Sequence, residues 1–158
     1  MAENEVTYRN ASPSDAKALV RLINRAFAIE LKFFSTERID LPGVLAHMEK
    51  GTILVAEETG ESLGCVYLEV RGELSYFGLL AVDPDHQGRG IGLKLIDAAE
   101  TFGREAGCTV MQIRILHLRT ELPPFYEKLG YTVVRNETPP QIPSAYQPYE
   151  FILMEKGL

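Results

Sequence analysis

Residues 79–92, LLAVDPDHQGRGIG, decide how the rest of the chain is interpreted. An apolar run ends at Val82, a proline-containing turn follows, and glycines then occupy every second position before an amphipathic segment. Glycines at a strand-to-helix junction let backbone N–H groups converge without crowding from Cβ atoms. The new helix adds its own unpaired N–H groups and its dipole. The stretch therefore predicts a site for a phosphate or pyrophosphate group.

Two common phosphate-binding motifs do not fit this stretch. A Walker loop needs GxxxxGK[ST], but Leu93 stands five residues after Gly88. A dinucleotide-binding fingerprint needs GxGxxG, and the same Leu93 takes the place of its third glycine. The strands that precede the stretch also resemble antiparallel hairpins, which contradicts a parallel βαβ unit.

The segments before the glycine-rich stretch predict two helices and a three-stranded meander. Ser12 and Pro13 form a helix start, and apolar residues then recur at helical spacing to about residue 28. A second helix is predicted at residues 42–50. The turns TGE and RGE separate three predicted strands, at residues 52–57, 62–70 and 74–82. Turns this short indicate antiparallel hairpins.

The segments after the stretch alternate between helix and strand. Helices are predicted at 90–106 and 123–129, and strands at 110–116, 131–135 and 150–154. Residues 137–149 contain four prolines, so we expect an ordered loop or a mobile lid that helps to shape a substrate pocket, with Tyr146 and Tyr149 in it. The layout predicts one α+β domain over residues 1–158, with a mixed, mostly antiparallel sheet flanked by helices.

Composition excludes several classes of function. The 158 residues carry 16 basic and 22 acidic side chains, a formal charge of −6, which argues against nucleic-acid binding. Cys65 and Cys108 form neither a disulfide framework nor a zinc motif, so we expect no metal and two buried thiols. The start of the chain does not resemble a signal peptide and no segment resembles a membrane span, so we expect a cytoplasmic monomer or homodimer.

The motifs together resemble the GNAT acetyltransferase superfamily. Residues 87–92, QGRGIG, fit the acetyl-coenzyme A loop pattern Q/R-x-x-G-x-G/A of that family, and residues 124–131, PFYEKLGY, fit a second family segment. The helix start, the meander, the loop, the strand at 110–116 and the PFYEKLGY segment occur in the family's order, so the resemblance covers nearly the whole chain.

The resemblance implies an acetyl-CoA cosubstrate and a fold built to hold it. The family's pantetheine contacts correspond to the strand end at Leu80, Ala81 and Val82, where a backbone N–H also serves the oxyanion. Its pyrophosphate contacts fall on the backbone of six consecutive residues: Gln87, Gly88, Arg89, Gly90, Ile91 and Gly92.

The resemblance also implies a direct transfer to an amine, with Tyr126 as the general acid that protonates the departing thiolate. The base does not transfer, because the position where some relatives carry a glutamate is Gly78. Only about one part in 2,500 of an ordinary amine is neutral at pH 7, a cost of roughly 4.6 kcal/mol. Glu69, Tyr76 and His117 are the candidates for offsetting it.

A further departure from the family concerns Arg119, which stands where many relatives carry a cofactor-contacting asparagine. Arg119 is predicted to pair with a phosphate or an acceptor carboxylate, or to be an exposed loop cation. His86 is predicted to be a turn residue and His47 to lie on a surface helix.

Three functions stay open from the sequence. The first is an N-acetyltransferase for a small-molecule amine, for which the acidic chain would favour a cationic acceptor through weak steering. The second is acetylation of a protein lysine or N-terminus. The third is a non-catalytic acyl-CoA-binding module, which would need neither Tyr126 nor a base.

Overall fold

The computed structural model describes residues 5–158 and has an α+β architecture with one mixed, mostly antiparallel sheet. Seven strands lie in the order β1-β2-β3-β4-β5-β7-β6. Their bounds are β1 Thr7–Asn10, β2 Thr52–Glu58, β3 Glu61–Arg71, β4 Leu74–Val82, β5 Val110–Leu116, β6 Thr132–Glu137 and β7 Phe151–Gly157. The helices are α1 Ala16–Ala26, α2 Leu41–Lys50, α3 Ile91–Glu105 and α4 Leu122–Lys128, with 3-10 turns at Pro13–Asp15, Ala28–Lys32 and Pro84–His86.

The structure confirms the three-stranded meander and the predicted helices before and after it. It also confirms the alternation of helix and strand in the second half of the chain and the expected α+β class. β1 was not predicted, however, because four residues at a sheet edge carry too little pattern to identify a strand. β1 is held by pairing with β2, from Thr7 opposite Glu57 to Asn10 opposite Leu54. β7 also runs three residues past its expected end, because Glu155 and Lys156 continue the ladder with β5. Within residues 5–158 no helix is long and apolar enough to cross a membrane.

Each face of the sheet is covered by helices and forms its own apolar core. α3 and α4 cover one face, where Leu95 and Met111 are buried. α1 and α2 cover the other, where Leu19 and Val55 are fully buried. Both cysteines are buried, as expected.

A bulge in β4 changes which of its side chains face each core. Tyr67 lies opposite Gly78 but Cys65 lies opposite Ala81, so β4 contributes one residue more than β3 between these pairs. Leu79 adopts a positive φ of 49° there. Phe77 packs in the α3 core, whereas Leu79 and Ala81 pack in the α1 core. Because side chains alternate along a strand, this switch requires the extra residue.

The sheet opens at its centre, between β4 and β5. These parallel strands pair only from Leu74 opposite Val110 to Tyr76 opposite Gln112. Beyond Tyr76, β4 continues alongside β3 and β5 alongside β7. The result is a wedge-shaped opening, and the edge of β4 from Gly78 to Val82 that faces β5 has no strand partner within residues 5–158.

Candidate active site

The glycine loop joins β4 to α3 and presents unpaired backbone N–H groups. Gly88 and Gly90 have φ of 82° and 77°, the left-handed region that glycine adopts freely. The N–H groups of Gly88, Arg89 and Gly90 donate to no acceptor within residues 5–158. The first N–H groups of α3 follow directly and lack intrahelical acceptors. Such a cradle suits a pyrophosphate.

The space in front of the loop is open. A Cβ atom at Gly88 or Gly90 would meet nothing within 4 Å, and at Gly92 only a Val82 methyl group at 3.5 Å. These glycines are therefore not required by packing within the described chain, whereas a ligand lying against the backbone would exclude side chains there. This observation fits the pyrophosphate group of acetyl-CoA.

Arg25 ties the loop to α1. Its guanidinium donates at 2.7 Å to Asp83 Oδ2 and at 3.1 Å to Asp85 Oδ2. Asp83 Oδ1 in turn accepts the N–H of Asp85 at 2.8 Å. The turn that precedes the glycines is thereby held by Arg25 from α1 and by its own Asp83 carboxylate.

Three neighbouring compartments lie between the glycine loop and the segment after α1. The loop compartment, about 590 Å³, lies between the glycine loop, Val82 and Phe125. The central compartment, about 200 Å³, lies in the wedge between β4 and β5. The apolar compartment, about 160 Å³, lies under the segment after α1 and the proline-rich segment. Phe27 lines all three, so the compartments adjoin one another around this ring, and together they are called the path below.

The residues predicted to bind the cosubstrate mostly line this path. Leu80 and Val82 line the loop compartment, but Ala81 is 2% exposed in the α1 core, so only its backbone is available. The guanidinium of Arg89 turns away and pairs with Glu58. Its part in the cradle is therefore its backbone N–H. The other predicted loop residues lining the compartment are Gln87, Gly88, Gly90, Ile91 and Gly92.

Tyr126 lines the central compartment, where it belongs to an aromatic cluster. Its ring lies against Phe125, Tyr131 and Phe77, with centroid distances of 5.0, 5.7 and 6.2 Å. Burial raises the pKa of Tyr126 to about 12, and Arg119 opposes this shift. The hydroxyl makes no hydrogen bond to another group within the described chain. A neutral hydroxyl is thus available as a proton donor.

Tyr76 lines the same compartment from β4. Burial raises the pKa of Tyr76, while Arg38, Arg114 and Arg71 act against burial to a lesser extent. Its phenol is therefore neutral near pH 7 and can accept a hydrogen bond, but it is a poor ionised base.

Glu69 and His117, the two other candidates for the base, do not line any of the three compartments. Glu69 accepts hydrogen bonds from Arg71 Nε and the Tyr67 hydroxyl, both at 2.8 Å. The Arg71 contact lowers the pKa of Glu69 despite partial burial, which weakens it as a base. The structure does not bring this carboxylate together with Tyr126.

His117 is engaged by the backbone of Glu150. Its Nδ1 accepts the N–H of Glu150 at 2.9 Å. Nδ1 also lies 3.1 Å from the Glu150 carbonyl oxygen, so the backbone of Glu150 engages the ring in either tautomer. Of the other histidines, His86 lines the loop compartment from the turn, and His47 lies on α2 with Nδ1 donating to the Gly43 carbonyl at 2.8 Å.

Arg119 is a buried part of the site and not an exposed loop cation. Its side chain is 15% exposed and pairs with Glu30 at 2.8 Å and with Glu121. It lines both the loop and the central compartments. Glu30 was not identified from the sequence, because it lies 89 residues away and only the fold brings the two together.

Of the two tyrosines that the proline-rich segment was expected to contribute to the pocket, one lines the apolar compartment. Tyr149 and Ile142 line it, and Tyr149 packs edge-on against Phe34 with a centroid distance of 5.3 Å. Tyr146, in contrast, is 66% exposed and does not line it. Arg38 and Phe27 also line this compartment and were not singled out from the sequence, since neither lies in a motif.

Comparison with known proteins agrees with this geometry. A family model described as an acetyltransferase (GNAT) domain matches residues 49–133. The mycothiol acetyltransferase of Propionibacterium freudenreichii is 30% identical over 100 residues, which are 60% of this chain and 28% of that protein. The L-amino acid N-acyltransferase MnaT of Escherichia coli is 26% identical over 140 residues, 81% of this chain and 80% of that protein. The chain thus spans about a quarter of the first relative and most of the second.

The fold is also that of a solved structure with its cosubstrate bound. The structure of yncA from Salmonella typhimurium with its cofactor acetyl-CoA superposes with a TM-score of 0.74. The alignment covers 98% of this chain and 95% of that one, at 21% identity, which is evidence for a shared fold.

Proposed function

The chain belongs to the GNAT acetyltransferase family, and from this premise we propose that it acetylates the primary amine of a small molecule. It is an acetyl-CoA-dependent acetyltransferase, and acetyl-CoA is the acyl donor. The observation that carries the proposal is the row of adjoining compartments: one at the glycine loop, one lined by Tyr126, and an apolar one of about 160 Å³. A compartment of this size fits a small acceptor.

The chain's own groups have separate tasks in the proposed reaction. The N–H groups from Gly88 to Gly90 hold the pyrophosphate, and the unpaired edge of β4 pairs with the pantetheine amides. When bound, acetyl-CoA supplies an acyl group activated as a thioester. A backbone N–H at the end of β4 stabilises negative charge on the reacting carbonyl oxygen.

The proton balance assigns a task to Tyr126. The amine nitrogen bonds to the acetyl carbon and loses one proton, and the carbon–sulfur bond breaks. The sulfur then takes the proton of the Tyr126 hydroxyl, which regains one from the solvent in the path. Tyr126 lines the central compartment, and Phe125 lines both that compartment and the loop compartment.

Of the three candidates for the general base, only one lines the path. Glu69 and His117 stay predictions without geometric support, since both are engaged elsewhere and lie off the path. Tyr76 is the candidate that lines the central compartment. Its task in the proposal is to accept a hydrogen bond from the amine and so to orient it, while the proton leaves to water.

Thiol release tests the proposal directly. Purified protein is incubated with acetyl-CoA and matched sets of small amines, lysine-containing peptides and free N-terminal peptides, and free thiol is measured with time. Faster release with a small amine than with every peptide supports the proposal. Faster release with a peptide favours the protein-directed alternative. Tight binding of acetyl-CoA without turnover of any amine favours the non-catalytic module.

A further inference from the structure

Two side chains of opposite charge line both the central and the apolar compartments. They are Glu30, in the 3-10 turn after α1, and Arg38, in the segment before α2. An acceptor that passes from the apolar compartment towards Tyr126 would therefore meet both charges. Glu37 also lines the apolar compartment, and Arg114 and Arg119 also line the central one, but these three do not line both. The chain as a whole carries a charge of −6, so its net charge does not describe this part of the path.

Arg38 is available to a ligand. The other two arginines that line the central compartment are already paired, Arg114 with Glu137 and Arg119 with Glu30. Arg38 pairs with no carboxylate within residues 5–158.

The ring of Phe27 positions the Arg38 guanidinium in this wall. The guanidinium carbon lies 5.5 Å from the ring centroid, the arrangement of a cation–π contact. Stacking on the ring leaves the planar N–H edge of the guanidinium free for a carboxylate. Arg38 can therefore hold an anionic group at the boundary between the two compartments.

Only one of the two carboxylate oxygens of Glu30 accepts a hydrogen bond from the described residues. Its Oε2 accepts a hydrogen bond from Arg119 at 2.8 Å, which fixes the carboxylate in place. Its Oε1 accepts no hydrogen bond from the described residues. One carboxylate oxygen is thus free to accept a hydrogen bond from the neutral amino group once it has lost its extra proton to water.

The apolar compartment completes the set of contacts. Its walls are mainly apolar and aromatic, and they include Phe34, Leu116, Ile142, Tyr149 and Phe151. Its volume of about 160 Å³ is close to the ~150 Å³ of an apolar cavity that holds benzene. A phenyl or branched aliphatic group fits such a space.

We propose that the acceptor is an α-amino acid with a large apolar side chain. Its carboxylate binds Arg38, its amino group is held by Glu30, and its side chain fills the apolar compartment. The proposal rests on the proposed small-molecule acetyltransferase function and narrows its substrate class. Arg38 and Glu30 are in this scheme specificity-determining residues for the two ends of a zwitterion.

The test uses acceptors that differ in one group. L-phenylalanine is compared with phenethylamine, which lacks the carboxylate, and with L-phenylalaninamide, in which the carboxylate is neutral. All three acceptors are assayed by thiol release with wild type, Arg38→Gln, Arg38→Lys and Glu30→Gln. Arg21→Gln is the control, because Arg21 is likewise exposed and unpaired within residues 5–158 but does not line the path.

The proposal expects wild type to prefer L-phenylalanine over phenethylamine by at least tenfold in kcat/KM. Arg38→Gln should lower kcat/KM for L-phenylalanine tenfold or more, mainly through KM, and change it less than threefold for phenethylamine. Arg38→Lys should restore part of the loss. Glu30→Gln should lower kcat/KM for both amines, and Arg21→Gln should change neither.

Two other outcomes distinguish a failure of the amino-acid proposal from a failure of the proposed function. Turnover of phenethylamine equal to or faster than that of L-phenylalanine, with no effect of Arg38→Gln on either, overturns the amino-acid proposal and leaves amine acetylation standing. No turnover of any amine in the wider set, with acetyl-CoA bound, overturns the proposed function itself. Circular dichroism and thermal melting of each variant ensure that lost activity is not lost folding.

Discussion

A Cβ atom at Gly78 would lie 2.7 Å from the hydroxyl oxygen of Tyr76, closer than real Cβ contacts come. Glycine at this position therefore leaves the space that the Tyr76 phenol occupies in the central compartment. Gly78 is the position at which the family resemblance implies a glutamate in some relatives, and in this chain the nearest polar group to it is the Tyr76 hydroxyl. This relationship makes the two positions a coupled pair that can be tested.

Tyr76→Phe should lower kcat/KM for the amine by about three- to tenfold, the size of one net hydrogen bond. Gly78→Ala should do the same, because the new methyl group must displace the hydroxyl. In the Tyr76→Phe background the alanine should cost less, since its closest contact is gone. Gly157→Ala is the control, as a Cβ there meets nothing within 4 Å. Strictly additive losses would contradict the coupling.

The glycine loop can be tested against a turn of the same backbone conformation. Gly90→Glu should abolish acetyl-CoA binding, since it brings bulk and negative charge to the pyrophosphate cradle. Gly72→Glu is the control, because Gly72 also has a positive φ and open space but lies in the β3–β4 turn. Both changes carry a backbone cost of about 1–2 kcal/mol. Calorimetric titration with acetyl-CoA should show heat for wild type and Gly72→Glu only; equal affinity in all three would remove the loop from the site.

The acid role of Tyr126 makes a prediction about pH. Tyr126→Phe should lower kcat by about 100-fold with acetyl-CoA affinity unchanged. A proton donor is active below its pKa, and burial raises the pKa of Tyr126 to about 12. Its ionisation therefore cannot reduce the rate between pH 7 and pH 10, where deprotonation of the amine should make the rate rise.

The measurement is kcat against pH for wild type, Tyr126→Phe and Tyr146→Phe. Tyr146 is 66% exposed and serves as the control, with no change expected. Wild type and Tyr126→Phe should show parallel rising curves, with the variant displaced downwards. A rate that falls above pH 9 in wild type, but not in Tyr126→Phe, would mean that the hydroxyl ionises far below the value set by its burial.

The sequence predicts the parts of this protein that depend on local pattern. The meander follows from its short turns, α3 from its apolar periodicity, and the phosphate cradle from Gly88 and Gly90. β1 was missed because its stability comes from pairing with β2, and not from its own four residues. The bulge at Leu79 was also missed, because nothing in an apolar run shows which residue has no partner across the strand.

Most residues on the acceptor side of the site could not be predicted from the sequence, for the same reason. Glu30 and Arg38 acquire their positions from the chain segment between α1 and α2, which packs against β5 and the proline-rich segment only in the folded state. Glu69 and His117 were chosen for their chemistry, but chemistry alone does not show that Arg71 and Glu150 engage them. Tyr126, in contrast, lies in the PFYEKLGY segment, and the family resemblance of that segment already implied that it belongs to the site; it lines the central compartment.

The Arg25–Asp83 ion pair should affect cosubstrate binding from outside the path. Arg25→Gln removes the contact between α1 and the turn before the glycines. Because Arg25 is 51% exposed, we expect an effect of at most about 1 kcal/mol, a two- to fivefold weaker Kd for acetyl-CoA. Arg21→Gln, one turn earlier on α1, should leave the Kd unchanged. Titration calorimetry at low salt measures both, and identical Kd values would show that the turn keeps its shape unaided.

Glu100 should be the most important carboxylate of α3 for stability. It is buried in the α3 core, accepts the Tyr131 hydroxyl at 2.9 Å and pairs with Lys156 at 2.8 Å. Glu100→Ala leaves a buried hydroxyl without its acceptor, which should lower the free energy of unfolding by about 1–3 kcal/mol. Glu105→Ala, an exposed change on the same helix, should have little effect.

Urea denaturation of these variants, alone and with Tyr131→Phe, separates the hydroxyl from the ion pair. With Phe at position 131 no buried hydroxyl is left unpaired, so Glu100→Ala should cost less there than in wild type. The loss that remains reports on two cations that pair with Glu100, Lys156 and Arg104; they are 26% and 47% exposed and can return to water at small cost. A loss of the same size in both backgrounds would assign the whole effect to these two pairs and to packing, and the Tyr131 hydrogen bond would then contribute nothing to stability.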